Sequence, residues 1–174
     1  MKNKHLVLIS TDTKAGGISN MIGIHSLALI NEGYKLSVIL PSKSDALNSI
    51  KDTLKLKNKN GLILNILKLN SIDKFLLKLG LSNKIKNILN KADACFVHNA
   101  KLISIVKKNF SIPVFAVNHT AKFSQLKLYK KADLVFSVNK NINLELINLG
   151  LDVKKCIYCP NVLTDLPTIM PRKY

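Results

Sequence analysis

Tryptophan is absent from this chain and arginine occurs once, as Arg172; 174 residues hold only 3 cysteines, 5 prolines, 7 glycines and 10 acidic side chains. Each scarcity excludes something. Three cysteines do not make a disulfide scaffold, and so little glycine and proline, with no period, does not make a collagen or a low-complexity chain. No apolar run approaches the roughly 18 residues that a membrane-spanning helix requires. Met1 to Lys4 lead only into Leu6–Ile9, too short for the core of a signal peptide. The expected location is therefore the cytoplasm, with the inner face of the membrane as the other candidate.

What is present is a large apolar fraction, 47%, with a mean hydropathy of +0.15. That excludes a disordered chain. At about 150 residues per domain the length gives one domain, read as residues 1–163, with 164–174 a proline-bearing tail or the start of a linker. The 27 basic residues exceed the 10 acidic ones to give a net charge of +17. Such a surface favours anionic partners: nucleic acid, acidic headgroups or phosphorylated substrates. Yet nearly every cation is lysine, and arginine is the preferred fork for bases and phosphates. Lysine, asparagine and isoleucine are abundant together, as in an AT-rich coding sequence, so the charge is discounted as a functional sign and a nucleic-acid binder is the lesser alternative.

Short apolar runs alternate with helical patterns. His5–Ser10, Lys35–Leu40, 61–67, Ala94–His98, Pro113–Val117, Leu134–Val138 and Lys155–Cys159 read as strands. Helical spacing covers Ile18–Glu32, stopped at Gly33, a weaker 45–54, 71–91 broken near Gly80, Ala100–Lys108 with Asn99 as cap, a short stretch to Lys131 capped by Ser124, and a last helix between Asn139 and Gly150. This alternation predicts an α/β fold, a Rossmann-like, doubly wound, mainly parallel sheet with helices on both faces. Ligands in such sheets lie beyond the carboxyl ends of the strands, where the strand order reverses. The loops that matter are then Thr11–Gly17, His98–Asn99, 118–123 and Pro160–Asn161.

Gly16 and Gly17 open the first helix. They would let a phosphate or sugar hydroxyl approach the free N–H groups there, or they form only a tight turn; neither a dinucleotide fingerprint nor a P-loop is present. His119 follows a strand and would exchange a hydrogen bond with a hydroxyl or a leaving oxygen, unless it is a structural loop histidine. His98 ends the neighbouring strand. His25 lies on an apolar helix stripe and reads as a core histidine. Cys156 and Cys159 form a C-x-x-C, but on a strand their separation is about 10 Å, outside disulfide reach. No second pair completes a zinc site, and no metal is expected. Residues 51–91 hold ten lysines and two aspartates, a balance of +8. Within them Ile72, Phe75, Leu76 and Leu79 form a stripe, read as a sheet-covering face with solvated lysines around it; contact with an anionic bilayer is the alternative.

The order of these pieces resembles family 4 glycosyltransferases of the GT-B fold. The relevant segments are Lys14-Ala15-Gly16-Gly17-Ile18, then Glu32-Gly33-Tyr34-Lys35 leading to Val38-Ile39. Ala92-Asp93-Ala94 runs through to His98-Asn99, and Ile112-Pro113 runs through to Asn118-His119. Lys131-Ala132-Asp133 leads to Ser137-Val138-Asn139, and Lys155-Cys156 leads to Pro160-Asn161-Val162. Two positions depart from the pattern: Val162 replaces a usual glycine and Asn139 a frequent serine. The resemblance implies an N-terminal, acceptor-side domain of an enzyme that moves a sugar from a nucleotide-sugar donor to a hydroxyl of a glycan or lipid-linked glycan. It implies His119 as the catalytic residue at the transferred sugar, with Gly16, Gly17, His98, Asn99 and Asn161 on the substrate side and Asn161 at the hinge. The donor-binding domain would be missing or separately encoded, so the chain would be truncated or half of a split enzyme. No cofactor is expected beyond the nucleotide sugar itself. A non-catalytic Rossmann-like binding module is the main rival.

Overall fold

Strand β1 (His5–Ile9) is buried from Leu6 onward, and its side chains alternate between two cores: Val7 and Ile9 enter one, Leu6 and Leu8 the other. A strand buried on both faces belongs in the interior of a parallel sheet. The computed structural model describes residues 4–14, 16–48, 50, 64–80, 82–120 and 123–160, with the side chains of Lys78 and Phe123 excepted. Six further strands join β1: β2 (Lys35–Pro41), β3 (Leu64–Leu69), β4 (Ala94–Val97), β5 (Val114–Asn118), β6 (Leu134–Ser137) and β7 (Cys156–Tyr158). All neighbours pair in parallel, in the order β3-β2-β1-β4-β5-β6-β7. The order reverses between β1 and β4, and that is the switch point.

The helices are α1 (Gly17–Asn31), α2 (Ser71–Leu79), α3 (Asn83–Leu89), α4 (Ala100–Asn109), α5 (Leu126–Tyr129) and α6 (Lys140–Asn148), with single 3-10 turns at Phe123–Gln125 and Val153–Lys155. They divide unequally. One face of the sheet packs against α2 to α6 through residues such as Leu77, Leu89, Ile103, Tyr129 and Leu146. The other packs against α1 and the helical residues near 46–50, through Ile22, Ile30, Leu47 and Ile50. The doubly wound reading therefore holds, with one layer much thicker. On the thin side Phe96, Phe115 and Phe136 stay half-buried and meet one another, Phe96 and Phe115 edge to face at 5.2 Å.

Chain reversals follow local chemistry. Gly33 takes φ 81°, and the paired bonds from Gly33 N–H to Ile30 O and Tyr34 N–H to Leu29 O close α1 as a Schellman motif. Gly80, left-handed at φ 69°, separates α2 from α3, as the expected break requires. Some boundaries differ from expectation. β3 runs to Leu69 because its last residues pair with Leu40 and Pro41; positions 61–63, where it was expected to begin, lie outside the described residues, as do 49 and 51–54 of the expected 45–54 helix and residues 161–174. Ser124 does not cap α5, since it sits inside the 3-10 turn and Gln125 occupies the cap.

The two Ala-Asp pairs of the sequence have a mechanical explanation. Asp93 accepts from His5 N–H at 2.7 Å, and Asp133 accepts from Val114 N–H at 2.6 Å while pairing with Lys107 at 3.0 Å. Each carboxylate thus satisfies the first N–H of the strand beside its own. Burial alone would raise the Asp133 carboxyl, but the Val114 N–H and Lys107 outweigh it and hold it below the usual range. Its stabilisation is present above the ordinary carboxylate pKa and is lost as pH falls through the lowered one. Asp133→Ala is expected to cost about 1 kcal/mol near neutral pH, and urea denaturation should show that difference shrinking in acid.

Candidate functional site

At the switch point the β1–α1 loop and the β4–α4 loop separate, and one side chain holds them together. Asn99 Oδ1 accepts from Thr11 N–H at 2.7 Å, Thr11 Oγ1 at 3.2 Å and Ser10 Oγ at 3.1 Å, while Asn99 Nδ2 donates to Asp12 Oδ2 at 2.9 Å. The expected helix cap is therefore corrected. Asn99 stands at the N-cap position of α4, but its side chain makes no capping bond, because the loop across the switch point takes its oxygen. The same loop is anchored further along, where Ser44 Oγ donates to Asp12 O and Ser19 Oγ to Lys14 O.

A polar cleft of about 310 Å³ opens above this latch, lined among others by Thr11, Asp12, His98, Asn99, His119 and Tyr129. His98, next after β4, is only 4% exposed. Its Nδ1 lies 2.9 Å from His119 Nε2, and the two rings stack at 5.1 Å. On its other side His25 of α1 packs at 5.4 Å, tilted by 46°. His98 Nε2 is buried without a hydrogen-bond partner. Burial pushes all three imidazoles down, His98 well below its ordinary value and His119 to about 4, and their proximity adds to it, His119 and His25 acting on His98 and His25 on His119. All three are neutral at physiological pH. With both rings neutral, one proton occupies the His98–His119 bond. The nitrogen of His119 facing away from that bond is then an acceptor if His119 donates the proton, and a donor if His98 does.

The far wall is also pre-set. Tyr129 donates its hydroxyl to Asn118 Oδ1 at 3.0 Å, and burial drives its phenol up to about 12, so it stays protonated. Thr120 N–H shares that oxygen at 3.2 Å.

Of the residues singled out from the sequence, His98, Asn99 and His119 meet in this cleft. Gly16 and Gly17 do not line it. They sit exposed at the start of α1, with open space where a Cβ would project, and Ile18 is the residue of that turn that reaches the cleft. Gly16 caps the helix at φ 149° with no side-chain bond. Asn161 lies outside the described residues. Sequence reasoning placed Thr11 and Asp12 in a strand-end loop without singling them out, missed Gln125 and Tyr129, and left His25 apart from the other two histidines. Adjacency of β4 and β5 is the signal that would have joined His98 to His119.

No family model and no curated protein matches the chain. Solved structures do match in fold. HepE from Anabaena, solved in complex with UDP and glucose, superposes with a TM-score of 0.66 at 12% identity, over 92% of this chain and 45% of its own. The lipopolysaccharide outer core galactosyltransferase WaaB, in its apo form, gives 0.60 at 14% identity, over 92% and 46%. The S. aureus MnaA–UDP structure gives 0.52 at 16% identity, over 90% and 44%. The chain spans under half the length of the structures it matches. It has the Rossmann-like α/β fold that is one half of these GT-B proteins.

The depressed histidines make stability pH-dependent. The unfolded chain protonates these rings near pH 6.5, whereas the folded chain resists down to about 4 at His119, so their contribution is complete above about 6.5 and is lost as pH falls towards about 4. His98→Leu should flatten the decline of Tm between about pH 7 and about pH 5, read by circular dichroism.

Proposed function

We propose that this chain is the acceptor-side, N-terminal half of a nucleotide-sugar-dependent glycosyltransferase of the family 4, GT-B type, acting on a glycan or lipid-linked glycan of the cell envelope. The observation that supports it most is the neutral His98–His119 pair in a polar cleft at the switch point, within a fold shared with a protein solved with UDP and glucose.

In the reaction, the anomeric carbon of the sugar passes from the diphosphate oxygen of the donor to an acceptor hydroxyl oxygen. The diphosphate leaves with the electron pair of the broken bond, and the proton of the acceptor hydroxyl passes to that departing oxygen or to water. His119 is too weak a base at about 4 to be charged near neutrality, so its part is to hold a sugar hydroxyl through the ring nitrogen that His98 leaves free. His98 fixes the ring in place, and a held sugar is one near its line of attack. The first turn of α1 carries no acidic residue and no side-chain cap bond, so the N–H groups of Gly17 and Ile18 and the partial positive charge there are available to an anionic group. Gly17 leaves room for that approach. A second domain, in the same or another polypeptide, would bring the nucleotide, with Asn161 at the hinge. Nucleic acid is not the partner in this reading, and no cofactor enters.

Transfer from labelled nucleotide sugars, measured with the chain alone and with a donor-binding partner domain, tests this. Transfer only with the partner supports a split enzyme, and none in either case favours a binding module. His119→Ala should lower transfer at least about tenfold while the chain stays folded; unchanged turnover removes the role. Gly17→Ala should leave Tm within about 1–2 °C yet weaken nucleotide binding, as read by calorimetry on the chain together with the donor-binding partner domain.

A further inference from the structure

Strand alternation sends successive side chains at the end of β5 to opposite faces of the sheet. Asn118 turns into the thick layer, where it meets Tyr129 of α5, and His119 turns the other way, onto His98. Asn118 is 0% exposed, and two donors share its oxygen: the Tyr129 hydroxyl at 3.0 Å and Thr120 N–H at 3.2 Å. The second bond closes an Asx turn, in which a side-chain oxygen reaches the N–H two residues on. The residue enclosed by that turn is His119. The main chain is fixed at the same point, since Val138 N–H donates to Asn118 O at 3.2 Å. His119 is thus gripped through its chain neighbours as well as through its own ring.

The grip depends on which way the Asn118 amide is set. Thr120 N–H only donates, so the atom facing it is the oxygen and the other end of the amide is Nδ2. Among the described residues that nitrogen has no partner. Ser137, opposite Asn118 in the β5–β6 register, has a buried hydroxyl that makes no bond either, so it gives the amide no anchor. Orientation therefore comes from the two donors at the oxygen alone. Thr120 belongs to the turn being held, which leaves Tyr129 as the one that reaches it from another element. Tyr129 suits that task. It is 4% exposed, its ring packs in the thick core, and α5 rests on α4.

We propose that Tyr129 is a positioning residue: acting through Asn118, it fixes the turn over residues 118–120 and so sets the His119 ring against His98. This deepens the role given to His119 above and rests on that role for its meaning in catalysis. Although Tyr129 lines the cleft, its hydroxyl proton is committed to Asn118 and not to a substrate. Without that bond the turn stands on Thr120 N–H alone, and the His119 ring leaves His98 for the open cleft. A ring that moves this way gains water. Burial is the largest cause of the low pKa of His119, so the titration of that ring reports where it stands.

Tyr129→Phe keeps the ring in the core and removes one oxygen, so the full chain should fold, with Tm lower by about 2–4 °C. Histidine NMR between about pH 5 and about pH 8 should show no titration of His119 in the unmodified chain and a midpoint above about 5 in the variant. Asp12 and Lys101 line the same cleft, and His25 and His98 stand beside the ring, in both proteins, so the difference between them reports displacement. Leu146→Ala, a cavity in the same layer, should lower Tm at least as much and leave His119 where it is. In the Asn118→Leu background, Tyr129→Phe should add no further shift, because its route to His119 is gone. A His119 titration unchanged by Tyr129→Phe overturns the proposal. So does a full extra shift in the Asn118→Leu background, which would make Tyr129 act directly, or an equal shift in Leu146→Ala, which would make the effect a general loosening. The titration needs no sugar transfer, so its failure and the failure of the transfer assay are separate results.

Discussion

Reversal of strand order between β1 and β4 sends two loops in opposite directions and leaves a gap between them. The amide of Asn99 spans that gap. Its oxygen gathers a backbone N–H and two hydroxyls from Ser10 and Thr11, and its nitrogen reaches Asp12. The cleft above exists because this connection holds the β1 loop against the start of α4. A side chain committed in this way is a poor direct ligand, and its value to the site is positional. It sets Thr11 and Asp12 on one wall while β4 delivers His98 to the floor.

The histidines form the second tier. Three imidazoles this close would repel if charged, and burial removes the water that could screen them. The folded state therefore keeps them neutral, as the proposed hold on a sugar hydroxyl requires. His98 has a nitrogen with no partner, a cost of the order of 1–3 kcal/mol, which the surrounding packing of β1, β4 and α1 sustains. Such a cost concentrated beneath a cleft is more expected of a working site than of an ordinary core.

Much of the fold was legible because buried parallel strands appear as uninterrupted apolar runs and glycine marks the helix stops. Val7, Ile9, Cys95 and Val97 could hardly be elsewhere. The direction of α2 was not legible. Periodicity reveals a stripe but not which side meets the sheet, and here Leu77 is the buried residue while Ile72, Phe75 and Leu79, expected to cover the sheet, are exposed. The use of Asn99 was hidden for a similar reason: an asparagine before a helix has two outlets for its oxygen, and only the strand order decides between them. His119 was recognisable from its place after a strand. Its tie to His98 and His25 was not, since it needs β4 beside β5 and α1 above both. Gly16 and Gly17 were expected on the cleft wall, and the chain instead turns so that Ile18 reaches it.

The sheet order has a further consequence for how the polypeptide matures. β1 pairs with β2 early, but its other edge waits for β4, and His5 bonds to Asp93 across a separation of 88 residues. During synthesis the first three strands emerge with the apolar edge of β1 unpaired, for seconds at ordinary elongation rates. A growing chain in this state is adhesive, because its central strand is made well before β4 arrives to enclose it. The segment left open in that interval is Leu6–Ile9, buried only in the finished sheet.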